Sequence, residues 1–167
     1  WECLISFICA TYKNVAAIKK MLFELSKRFG EEIQLDGGTF YTFPSPAALA
    51  EASIVDLKKC GLGYRTRYVV ETVRMANQHD LDFVRLKKAS FDDARNELLE
   101  LPGIGLKVAD CVLLFSLDKS EAFPVDVWIR RAILKHYAAH FPRSFVKRIS
   151  CGRSLSNSEY SKLNLFG

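Results

Sequence analysis

The chain has 167 residues, a formal net charge of +5 at pH 7, an isoelectric point near 9.0 and 49% apolar residues. That length suits one domain or two small lobes sharing a core, and the apolar content excludes a disordered chain. The basic excess suits a polyanionic partner without requiring one, while five scattered cysteines with no Cys-x-x-Cys exclude a disulfide scaffold and a zinc or iron–sulfur site.

The cysteines read as reduced thiols of an intracellular protein, and no stretch reads as a signal peptide or membrane span. Apolar residues recur at helical spacing from Trp1 to Ala10, and a second amphipathic helix is predicted over 14–29, ended by Gly30. Lys19, Lys20, Lys27 and Arg28 lie on or near its polar side, either as a solvated face or as a basic patch. Leu35-Asp36-Gly37-Gly38 predicts a turn, and Phe40-Tyr41-Thr42-Phe43 is the one stretch that reads as extended. Ser45 caps a short helix with Pro46 at its first position, and Ser53 caps another over 54–59. Gly61-Leu62-Gly63-Tyr64-Arg65 then places a Gly-x-Gly turn before a helix carrying Tyr68, Val69, Val70 and Val73. Tyr64 is either a core aromatic or a side chain presented to a partner. No strand-rich region emerges, so the fold class is all-α.

The centre of the chain repeats that frame. A helix over 91–99 runs into Leu101-Pro102-Gly103-Ile104-Gly105, and a second helix starts at Leu106 with Val108, Ala109, Cys111, Val112, Leu114 and Phe115 on its buried side. The glycines supply positive φ in a tight turn and let the backbone approach another molecule closely. Such a turn aims free backbone N–H groups at the start of a helix toward an anion. Lys107 stands in the first turn of that helix, where the dipole favours Asp or Glu. It is either a surface lysine whose stem covers the turn, or an amine whose charged form is disfavoured and which is therefore a better nucleophile. Downstream, Asp126 stands where a helix from Val127 to about Tyr137 needs an N-cap, with Arg130 one turn on as a candidate ion-pair partner. A carboxylate held by N–H groups stays ionised and oriented, as a group stabilising nearby positive charge must.

The hairpin, Lys107 and the Val125-Asp126 pair together resemble the helix-hairpin-helix DNA glycosylases, with their Gly/Pro-rich loop and aspartate. Within that superfamily the chain is most similar to the 8-oxoguanine DNA glycosylases, through Trp1-Glu2-Cys3-Leu4-Ile5-Ser6-Phe7-Ile8-Cys9, Gly61-Leu62-Gly63-Tyr64-Arg65 and Lys107-Val108-Ala109-Asp110-Cys111. The similarity runs from Trp1 to about Phe166 and implies a two-lobed helical fold. It also implies that the chain is a piece of a longer protein, lacking the family's N-terminal β-rich lobe and a C-terminal helix; such a piece need not be active alone.

The resemblance implies base-excision repair of duplex DNA. Lys107 would attack the sugar C1′ and release an oxidised purine, and Asp126 would stabilise the cationic sugar; AP-lyase β-elimination would follow. Gly103, Ile104 and Gly105 would hold a phosphate, with a candidate monovalent cation on the carbonyls of the 101–105 hairpin; no side-chain metal site, cofactor or iron–sulfur cluster is implied. Tyr64, with Arg65, would wedge beside the damaged pair, and Cys111 would lie against the flipped base, though a helix cysteine at that spacing also suits a core. Tyr12, close to Asn14, stands where these enzymes carry an asparagine that fills the gap opposite the lesion, and Trp128 stands where they carry a histidine. These departures bear on opposite-base preference and on phosphate contact. The partner is double-stranded DNA with a damaged base, bound by a monomer in the nucleus or nucleoid and not at a membrane. Two rival readings are a glycosylase for other oxidised bases and a non-catalytic helix-hairpin-helix DNA-binding module.

Overall fold

The computed structural model describes residues 1–78 and 81–167. Helices α1 (Glu2–Ala10) and α2 (Val15–Phe29) lead into strands β1 (Glu32–Leu35) and β2 (Gly38–Tyr41). Then come α3 (Pro46–Ala50), α4 (Ile54–Lys59), a 3-10 turn (Gly63–Arg65), α5 (Thr66–Asn77), α6 (Phe83–Lys88), α7 (Phe91–Leu99) and α8 (Leu106–Ser116). The chain finishes with α9 (Val127–His136), α10 (Arg143–Ile149) and α11 (Asn157–Asn164). Helix starts follow local chemistry: Asn14, Ser45, Ser53, Asp82, Ser90, Asp126 and Ser156 each accept a backbone N–H from the first turn. Each such cap contributes about 1 kcal/mol.

Two apolar clusters organise the helices. In the larger, Leu4, Ile5, Ile8 and Cys9 of α1 are buried among Leu25, Leu57, Val69, Leu98, Val112 and Leu113 from the surrounding helices. The smaller joins Val125, Ile133, Phe145, Ile149, Tyr160 and Leu163, with Leu106 packed against it. Helix α8 therefore belongs to both: its middle packs into the first cluster and its first residue touches the second. Lys19, Lys20, Lys27 and Arg28 are exposed. No helix among the described residues is long and apolar enough to cross a membrane.

Two expectations about the elements need correction. The extended stretch is a two-stranded antiparallel hairpin, with Leu35 paired to Gly38 and Glu32 to Tyr41, so it begins before Phe40 and ends before Thr42 and Phe43. Asp36 and Gly37 both have positive φ (50° and 76°), as a two-residue hairpin turn of this hand requires. Phe115, expected on the buried side of α8, is 66% exposed and stacks on Phe7 at 6.0 Å between ring centroids, and Leu114 is half-buried. Buried Leu113 and Leu117 flank Phe115, so near its end α8 turns these two to the core and Phe115 to the outside.

Candidate active site

The hairpin between α7 and α8 gives its two glycines different work. Gly103 has φ +82°, and a Cβ built on it would stand 2.6 Å from the Tyr68 ring. Both the backbone and the packing demand glycine there. Gly103→Ala is therefore expected to cost about 2 kcal/mol or more, lowering Tm by roughly 4–8 °C for a chain of this size, measurable by thermal unfolding. Gly105 departs from expectation: its φ is −105°, an extended conformation open to any residue, and a Cβ there would meet nothing within 4 Å. Nothing inside the protein requires a glycine at 105.

Around that position the helix start is open. The amides of Gly105, Leu106 and Lys107 donate to no backbone carbonyl among the described residues, whereas Ile104 N–H is committed to Leu101 O at 3.1 Å. Ile104 is buried and its amide is already bonded, so neither its side chain nor its N–H is offered to a phosphate, contrary to expectation. A cation on the hairpin carbonyls would share them with existing bonds, since Leu101 O accepts from Ile104 and Gly105 O from Val108 and Ala109.

Asp126 is the N-cap of α9. Its Oδ1 accepts both Trp128 N–H and Ile129 N–H at 2.8 Å, so Oδ2 takes no part in the cap. The expected pair with Arg130 does not form, because that guanidinium donates to the carbonyl of Arg153 at 2.6 Å.

Lys107 and Asp126 line the same open cleft, of about 580 Å³. One wall comes from the end of α1 and the following loop, with Phe7 and Tyr12; the other comes from Arg130 and residues 152–155. Gly103 and Gly105 form part of the floor. The Lys107 ammonium stands 4.9 Å from the centroid of the Phe7 ring. Cys111, one turn along α8, is buried; burial pushes its thiol up, against the opposing effect of the Lys107 charge and hydrogen bond.

Tyr12 sits at the mouth of the cleft with φ +54°, rare for a bulky residue, and is 82% exposed. Its hydroxyl lies 3.3 Å from Ser154 Oγ on the opposite wall. Tyr64 is 55% exposed, which removes the core alternative, and it meets Tyr68 edge-on at 6.2 Å. Since Tyr68 also supports Gly103, the two Gly-x-Gly turns stand side by side. Arg65 is the clearest correction: it is 3% exposed and its guanidinium donates to Thr11 O at the end of α1, so it braces the fold instead of reaching a partner. Asn14 caps α2 by accepting Ala17 N–H at 2.8 Å, and Trp128 projects outward with the Arg131 guanidinium 4.9 Å from its ring centroid; neither lines the cleft.

Two features escape the sequence reading. The 152–155 segment forms a cleft wall, though no local motif marks it. Asp110 is fully buried, paired with Arg95 and bonded to Tyr160 and Asn164. A charged residue flanked by Ala109 and Cys111 on an apolar helix is the available signal, since such a group needs partners.

Helices joined by a glycine turn, with an amine and a capped carboxylate on one cleft, define a helix-hairpin-helix scaffold. The chain belongs to the HhH-GPD superfamily of base excision DNA repair proteins, which it matches over residues 5–144. It is 40% identical, over 89% of its length and 52% of the relative, to a probable N-glycosylase/DNA lyase of Methanothermobacter thermautotrophicus. It is 32% identical to the N-glycosylase/DNA lyase of Saccharomyces cerevisiae, over 99% of this chain and 47% of that one. The chain thus spans about half the length of the curated relatives it matches. Among solved structures it resembles the Clostridium acetobutylicum 8-oxoguanine glycosylase/lyase in complex with double-stranded DNA containing cytosine opposite 8-oxoG. The TM-score is 0.80 at 30% identity, covering 99% of this chain and 57% of the other.

Proposed function

We propose that the full protein carrying this chain excises 8-oxoguanine from duplex DNA as a bifunctional glycosylase and AP lyase. The observation that carries the proposal is the shared cleft of Lys107 and Asp126. A purine inside a duplex is unreachable until it is rotated out of the stack. Lys107, having given up a proton to solvent, then forms a bond from its amine to C1′ as the glycosidic bond breaks, and the electron pair leaves with the base, which takes up a proton. Asp126 faces the positive charge that develops on the sugar. The amine loses its proton and the sugar ring opens to an imine. Removal of a C2′ proton then expels the 3′ phosphate. Tyr12, Tyr64 and the open amides beside Gly105 hold the duplex, and the protein acts as an intracellular monomer without a cofactor; Cys111, expected against the base, is buried and outside the cleft lining and takes no such role.

Borohydride trapping of the full protein on duplexes carrying 8-oxoguanine opposite each base tests this, with an oxidised pyrimidine and undamaged DNA alongside. A covalent adduct on the 8-oxoguanine duplex is expected. An adduct confined to the pyrimidine lesion would move the specificity, and equal, salt-sensitive binding to every duplex without an adduct would leave only a DNA-binding module. A second measurement isolates the hairpin. Gly105→Ala is expected to change Tm by no more than a few degrees, because its backbone suits alanine while its place as the N-cap of α8 favours glycine, and the two effects oppose each other. DNA affinity should nevertheless fall by about 10-fold, because the added methyl stands where a phosphate approaches.

A further inference from the structure

We propose that Asp110 is a positioning residue that sets where Asp126 stands relative to Lys107, an inference that rests on the function proposed above. Asp110 lies one helical turn beyond Lys107 on α8, with no exposed surface. Arg95 of α7 brings Nε to 2.8 Å from Oδ1, off the hydrogen-bond axis, and donates from a terminal nitrogen to Oδ2 at 2.9 Å. The same Oδ2 accepts the Tyr160 hydroxyl at 2.6 Å and the Asn164 amide at 3.0 Å.

Both α11 side chains reach on to the segment that delivers Asp126. The Tyr160 oxygen accepts Val125 N–H at 3.2 Å, and the Asn164 amide donates to Phe123 O at 2.7 Å. Pro124 between them has no N–H of its own, so these two bonds fix the backbone immediately before the catalytic carboxylate. One carboxylate thus ties the helix bearing the amine to the loop bearing the acid. Burial, then the bond to Asp110, lifts the Tyr160 phenol far above its ordinary range. Although Tyr160 borders the cleft, its proton is therefore held by Asp110, and it serves as a strut.

A buried ionic cluster is a poor device for stability alone, because removing charges from water is costly; holding one geometry is its better-attested use. The test uses Tyr160→Phe in the full protein, assayed well below its Tm. Two rates are compared: single-turnover release of 8-oxoguanine, which needs both Lys107 and Asp126, and borohydride trapping on a preformed abasic site, which needs chiefly the amine. Base release is expected to fall at least about 10-fold while abasic trapping changes by less than about 3-fold, since sub-ångström misplacement acts on the step requiring both groups. Asp110→Asn should show the same split, more strongly. If both rates fall by one common factor, or base release is unchanged, the positioning role is overturned and the cluster is only structural. A folded wild-type protein that releases no base would instead overturn the function on which the inference rests.

Discussion

Replacing Lys107 by glutamine is expected to abolish base release and the borohydride-trapped adduct, a loss of at least about 10³-fold, while leaving DNA affinity within a few-fold. Glutamine keeps a polar side chain one atom shorter but has no nucleophilic lone pair on an amine. The fold should tolerate the change. The ammonium gains from the Phe7 ring at 4.9 Å but opposes the positive end of α8, and these two effects are each about 0.5–1 kcal/mol with opposite signs. Tm should therefore move by only a degree or two. A glutamine variant that still cross-links would place the nucleophile elsewhere on the cleft.

Asp126 allows its two duties to be separated. Asparagine caps a helix as well as aspartate, because its side-chain oxygen can take the Trp128 and Ile129 amides that Oδ1 now accepts. Asp126→Asn should leave Tm nearly unchanged yet reduce base release by roughly 10²–10³-fold, since a neutral amide cannot offset positive charge on the sugar. Asp126→Ala should show the same kinetic loss plus about 1 kcal/mol of destabilisation from the missing cap. If the asparagine variant retained the wild-type rate under single-turnover conditions, electrostatic stabilisation by this carboxylate would be excluded.

Several helices were legible where a cap and an apolar period coincided, but α6 and α11 went unread although Asp82 and Ser156 cap them. Asn14, Ser45, Ser53 and Asp126 all mark starts that the structure keeps. The hairpin strand over 32–35 was not, because a short run of Glu, Ile, Gln and Leu carries little strand signal and its facing strand is equally brief. Within the candidate site, the places of Lys107 in the first turn of α8 and of Asp126 as the cap of α9 were legible from local helix-start chemistry. Arg65 was misread because adjacency to an exposed tyrosine says nothing about which way a guanidinium turns; it turns inward to Thr11. The Asp110 cluster was invisible for a different reason. Its partners Arg95, Tyr160 and Asn164 come from separate helices, and no local spacing brings them together.

The unforced glycine at 105 has one more consequence. Because neither φ nor packing fixes that position, a graded series there (alanine, 2-aminobutyrate, valine) that adds bulk without a capping oxygen works as a molecular ruler. The side-chain size at which affinity collapses measures the clearance between hairpin and phosphodiester, a distance set by the visiting strand alone.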